Sequence, residues 1–163
     1  MSVSGGQERS DRRIWSAKLA ELGISLPDVV APLAAYVPAV RTGNLVYTSG
    51  QVPIQDGALA AVGKVGAEVS PEDGKALARI CALNALAAVH SLVGIDSVVR
   101  VVKVVGFVAS TPGFNGQPGV INGASELFGE VFGDAGAHAR SAVGVSELPL
   151  NAPVEVEIIV EVA

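Results

Sequence analysis

Cysteine is nearly absent from this chain of 163 residues. The one thiol, Cys81, excludes an internal disulfide, and its setting in the run Ile80-Cys81-Ala82-Leu83 reads as a buried packing thiol rather than a nucleophile. A reducing compartment, the cytoplasm, is the expected location. Positive charge is also scarce: 11 Lys and Arg against 16 Asp and Glu leave a net charge of −5. Nucleic-acid affinity rests on clustered basic side chains, so a broad phosphate-binding surface is excluded, and with 4% aromatics there is no aromatic-basic groove for single strands. Zinc-type Cys/His spacing, a Gly-Lys-Ser/Thr phosphate loop and a dinucleotide fingerprint are all missing. The opening Met1-Ser2-Val3-Ser4-Gly5-Gly6 lacks the basic-then-apolar pattern of a secretory signal. The longest apolar runs are interrupted at Asn84 and His90 and at Arg100 and Lys103, so no membrane span is expected.

What is present is small and aliphatic. Half of the residues are hydrophobic, mostly Val, Ala, Leu and Ile, which excludes disorder beyond the ends and fits one domain with a buried sheet under small-residue helices. That content exceeds what one chain of this size can bury, and an oligomer is the expected outlet.

Residues 1–12 are polar and read as a frayed terminus. A short helix follows over Arg13–Leu22, stopped by Gly23 and anchored by Trp15. The runs 36–40 and 45–50 flank Arg41-Thr42-Gly43-Asn44 and read as a hairpin, with Gly50 placed where backbone can approach a ligand or where a strand simply ends. Ser70-Pro71-Glu72-Asp73 is a strong helix start, and the apolar stripe from Leu77 to Val89 carries the helix to Gly94. His90 reads as a structural histidine. Ser97 to Ala109 is a long valine-rich strand expected near the sheet centre with both faces covered. A turn-rich loop over 110–119 precedes a second helix from Val120 to about Phe132. The order gives an α+β fold, a mixed sheet with two helices on one face.

The C-terminal stretch carries the chemistry. In Val154–Val162 alternation puts valines and Ile158 on one face and Glu155, Glu157 and Glu161 on the other; in His138–Ser146, Arg140, Ala142 and Gly144 oppose Ser141, Val143 and Val145. The apolar faces are assigned to the core. An arginine and carboxylates then remain on open faces, which suits a small anionic ligand, since guanidinium holds a carboxylate in two parallel hydrogen bonds. Locally, a structural ion pair of Arg140 is equally open. Glu155 is placed to polarise a water. If the last two strands formed a plain hairpin, Arg140 and Glu155 would sit about 17 Å apart. Sharing one ligand therefore requires a different pairing or a neighbouring subunit.

Tyr36, Thr42-Gly43-Asn44, Thr48-Ser49-Gly50-Gln51-Val52-Pro53, Asn84, Asn122, Phe128, Ala139-Arg140-Ser141, Leu148-Pro149 and Val154-Glu155-Val156-Glu157 together resemble the Rid/YjgF family of reactive-intermediate deaminases. The resemblance implies a chorismate-mutase-like fold with a six-stranded mixed sheet, residues 1–30 as an N-terminal extension and 31–163 as the family domain. It implies a homotrimer with clefts between subunits. The implied reaction is cofactor-free hydrolysis of 2-imino acids and their enamines to 2-keto acids and ammonia. Arg140 would clamp the carboxylate, Glu155 would position water, and Tyr36, Ser49, Gly50 and Asn122 would line the site.

Three features depart from the familiar deaminases: the N-terminal helix, the longer 110–119 loop, and Ala142 where many of them carry cysteine. His138 shares the face of Arg140 and is read as a solvent-exposed bystander in preference to a proton-transfer group. A trimeric keto-acid or amino-acid binding protein without turnover is the alternative function. Endoribonuclease activity, attached to some relatives, is opposed by the acidic balance.

Overall fold

The computed structural model describes residues 14–32 and 35–163; the end expected to fray, residues 1–12, lies outside them. The elements are α1 (Trp15–Glu21), β1 (Ala39–Thr42), β2 (Leu45–Thr48), β3 (Ile54–Gln55), β4 (Ala58–Leu59), α2 (Pro71–Val93), β5 (Val98–Ala109), α3 (Gln117–Phe132), β6 (Ala139–Val145) and β7 (Val154–Val162). The fold is α+β. Its sheet runs β1-β2-β7-β5-β6, antiparallel except for the parallel β5–β6 pair, with α2 and α3 against one face.

The fold class stands, but the main sheet has five strands rather than six. After Gly50 only Gln51 bridges to Val156; Pro53 then supplies no amide donor, and Asp56 and Gly57 at φ 54° and 83° turn the chain back after two residues. The result is a separate β3–β4 ribbon beside the sheet.

Local signals set the helices. Ser70 Oγ accepts from Asp73 N at 3.1 Å, Pro71 opens α2, and Gly94 at φ 80° ends it. Among the described residues α2 is the one helix long and apolar enough to cross a bilayer, contrary to the expectation from its interruptions; its apolar face, with Leu77, Cys81, Ala85 and Leu86, is instead buried in the core. The second helix starts three residues earlier than expected, at Gln117, because Pro118 fits its first turn. Gly106 of β5 lets α3 press on the sheet, since a Cβ there would fall 2.4 Å from Ile121 Cδ1. The expected anchor holds: Trp15 is buried, its Nε1 donates to Val98 O at 2.7 Å, and its ring meets the edge of Phe132.

The valine face of β7 is buried, Val154, Val156, Ile158, Val160 and Val162 all being at most 2% exposed. The other face of the sheet is bare. Val40, Tyr47, Val99 and Val143 each remain 43–53% exposed there, so β5, which lies between β7 and the edge strand β6, has only one face covered within the chain and not the two expected.

Candidate functional site

Strand β6 turns the opposite way from expectation. Its register pairs Arg140 with Val104 and Ala142 with Gly106, both facing the helices, while Val143 lies beside Phe107 on the bare face. The reason lies across the interface on α3. Asn122 and Ser125, one helical turn apart, offer partners to a guanidinium, and small residues at 142 and 144 leave α3 room; a Cβ at Gly144 would meet Gln117 Nε2 at 2.7 Å.

Arg140 Nη1 donates to Asn122 Oδ1 at 2.7 Å and to Ser125 Oγ at 3.2 Å. Ser125 Oγ is 2.9 Å from His138 Nε2, and His138 Nδ1 is 2.6 Å from the Gly136 carbonyl oxygen. A carbonyl only accepts, so the proton sits on Nδ1, and in the neutral ring Nε2 accepts from Ser125. The hydroxyl therefore turns its lone pairs towards Arg140. His138 is a part-buried member of this chain rather than a bystander, and its ring packs on the edge of Phe128.

No carboxylate among the described residues pairs with Arg140. The guanidinium is part-buried among neutral groups, with its Nη1 bonded and its Nε–Nη2 edge without a partner among the described residues. A cation so placed favours an anion at its free edge.

The second group of residues gathers at the sheet edge beyond β2. Here Tyr36, Gly50 and Glu155 line a cavity of about 1280 Å³ walled by residues 25–32, the β3–β4 ribbon and α2. Burial, followed by the neighbouring charge of Glu157, raises the Glu155 carboxyl above its ordinary pKa. Ser49 turns its hydroxyl to Val37 O at 2.5 Å. Asn84, 3% exposed, donates to Val52 O and Ile54 O at 3.2 and 3.0 Å and so ties the cavity wall to α2. Burial first, and the field of Glu155 second, push the Cys81 thiol well above its usual pKa, which removes its thiolate character as expected for a packing residue. His90 accepts from Ile95 N at 3.0 Å, a structural role at the end of α2.

Of the six expected site residues, Arg140 and Asn122 thus form one group; Tyr36, Gly50 and Glu155 share the cavity, with Ser49 beside it. The last two strands do not form a hairpin, because β5 lies between them. Arg140, Val104 and Ile158 share one row, and Glu155 lies three residues further along β7. Two strand spacings and three residue rises put the two Cα atoms about 14 Å apart, and alternation sends their side chains to opposite faces. One chain does not bring them to one ligand. Sequence reasoning missed Ser125; its signal was the three-residue spacing from Asn122 on one face of α3.

Comparison with known proteins places these groups in context. Residues 18–162 match the family described as Endoribonuclease L-PSP. Protein TCP17 of Trypanosoma cruzi is 45% identical over 90% of this chain and 92% of its own length. A 2-iminobutanoate/2-iminopropanoate deaminase of Dermatophagoides farinae is 33% identical over 84% of this chain and 93% of its own. Among solved structures, Atu1372 of Agrobacterium tumefaciens superposes with a TM-score of 0.85 at 44% identity, covering 93% of this chain and 94% of that one. With its α+β sheet and the residues that resembled it in sequence, the chain belongs to the Rid/YjgF family, the Endoribonuclease L-PSP family.

Proposed function

We propose that this protein hydrolyses reactive 2-imino acids and their enamine tautomers to 2-keto acids and ammonia, in a homotrimer whose sites lie between subunits. The observation that carries this is the part-buried Arg140 guanidinium, unneutralised by any described carboxylate and open along its Nε–Nη2 edge. The deaminase of Dermatophagoides farinae supports the chemistry.

Two features support assembly. The bare sheet face carries Val40, Tyr47, Val99 and Val143, an apolar surface that a second copy would cover. The cationic Arg140 group and the cavity holding Glu155 are complementary in charge, so each completes the other when they come from adjacent subunits.

In that arrangement Arg140 of one subunit grips the substrate carboxylate in two parallel hydrogen bonds and fixes C2. Glu155 of the next subunit takes a proton from water as the oxygen bonds to C2, and gives a proton to the imine nitrogen. The carbinolamine then collapses: the hydroxyl proton passes through Glu155 to the amino nitrogen, the C–N bond breaks as the keto group forms, and ammonia leaves. A carboxyl that holds its proton more tightly than usual is suited to both transfers. The imine carbon is already electrophilic, so orientation and a proton relay suffice without a cofactor.

The test generates imino acids in situ with an amino-acid oxidase and follows the free imine. Wild-type protein accelerates its loss, and Arg140→Ala abolishes the acceleration while the oligomer persists. Saturable 2-keto acid binding without acceleration would instead make this a binding protein. RNA cleavage by highly purified protein that survives Arg140→Ala would make it a ribonuclease.

A further inference from the structure

On the footing of that reaction, we propose that the cavity beside Glu155 is the seat of the substrate's side chain, and that the substrates are 2-imino acids bearing branched aliphatic or aromatic groups. Its volume of about 1280 Å³ exceeds the roughly 300–1,000 Å³ of sites that enclose whole drug-sized ligands. An imino acid of alanine size would leave most of it empty.

Much of the wall is apolar. Leu26 and Val30 come from the extended segment after α1, Val52 and Ile54 from the chain around the ribbon, and Ile80 and Leu83 from α2. All six are only partly buried within the chain, so apolar area remains for a ligand to cover. Two of the lining amides are already engaged: Asn84 Nδ2 donates to Val52 O and Ile54 O, and Gln51 Nε2 donates to Ser49 O. A polar side chain lying on the apolar wall would lose water without gaining partners from those aliphatic groups.

Charge narrows the class further. The ionisable groups of acid type at the cavity are Asp28, Asp56 and Glu155, and no Lys, Arg or His is among the described lining residues. A second carboxylate on the substrate, as in a glutamate-derived imine, would be repelled. Residues 25–32 follow the N-terminal helix directly, so the segment that α1 anchors also forms one wall of this subsite.

The experiment compares imines produced in situ from leucine, phenylalanine, alanine and glutamate, each trapped with semicarbazide and corrected for its uncatalysed loss. The full chain is expected to show kcat/KM for the leucine- and phenylalanine-derived imines at least about tenfold above that for alanine, with glutamate lowest. Leu26→Asp, on a segment outside the helices and the sheet, should cut the leucine-to-alanine ratio by about tenfold; Ile80→Trp, which fills the cavity from α2, should do the same. Equal or better turnover of the alanine- or glutamate-derived imine overturns the subsite, as does an unchanged ratio in both folded variants. Failure to accelerate any imine overturns the deaminase function itself, which separates the two outcomes.

Discussion

The carboxylate of Glu155 occupies the space that a side chain at Gly50 would need: a Cβ built on Gly50 falls 2.7 Å from Glu155 Cδ and 2.9 Å from Oε1. Glycine is required there by close approach to a functional group. Gly50→Ala forces the carboxyl to move, because real Cβ contacts do not come this close. A displacement of about 1 Å at a reacting group costs on the order of a hundredfold. The expected outcome is a fall of that size in kcat/KM with a melting temperature near wild type, checked by imine turnover and calorimetry.

Glu155 also opposes the stability of the chain. Burial, then Glu157, raise its folded pKa, so the folded state holds a proton that the unfolded state releases. Its favourable contribution is present below the ordinary carboxyl pKa and is lost as pH rises through the raised folded value. At neutral pH an ionised Glu155 therefore costs stability, and Glu155→Gln should raise Tm by roughly 1–3 °C while abolishing turnover. The gain should disappear in acid. Thermal melts of both proteins from pH 4 to pH 8 would show it, and an equal Tm offset at every pH would contradict it.

The relay from Gly136 O through His138 and Ser125 sets the edge that Arg140 presents. Ser125→Ala removes one of the two acceptors on Nη1 and lets the guanidinium turn. KM for a carboxylated substrate should rise about tenfold with a smaller change in kcat. His138→Phe, which keeps a ring against Phe128 but accepts nothing from Ser125, should raise KM in the same direction. The double variant should be no worse than the more severe single one, because both act through one chain of hydrogen bonds. Additive losses would show that the two residues act separately.

Much of the fold was readable where the governing interactions are local. Ser70-Pro71-Glu72-Asp73 marked the start of α2 because cap, proline and dipole act within one turn. The alternation in β7 identified its buried face because five aliphatics oppose three glutamates. In β6 the same rule failed. Val143 and Ala142 both count as apolar, and only Asn122 and Ser125 on α3, brought across by packing, decide that Arg140 faces the helices. The position of β5 between β6 and β7 was equally hidden, since strand order depends on pairings made over tens of residues. Arg140 and Glu155 stood out by strand alternation, whereas Tyr36, Ser49 and Asn122 entered only through the family resemblance; their division into two groups followed only from that order.

The N-terminal helix offers a last quantitative test, because its cap comes from a distant part of the chain. Asp96 Oδ1 accepts from Ser16 N at 2.8 Å and Oδ2 from Ser16 Oγ at 2.7 Å, satisfying first-turn groups of α1 that its own N-cap residue, Ile14, leaves without a side-chain acceptor. Burial pushes the Asp96 carboxyl upward, but the hydrogen bonds from Ser16 and Trp15 and the charge of His90 outweigh it, so its pKa falls below the ordinary value. The stabilisation is thus present above the unfolded carboxyl pKa and is lost as pH drops through the lower folded one. The site is solvent-exposed, so Asp96→Ala should cost only about 1 kcal/mol, or roughly 2–4 °C in Tm. Trp15 is the single tryptophan, and its indole donates to Val98 O against Phe132, so its fluorescence reports the docking of α1 on β5 and α3. In Asp96→Ala the fluorescence transition should precede the circular dichroism transition of the sheet and α2. A coincident transition would show that α1 melts only with the whole domain.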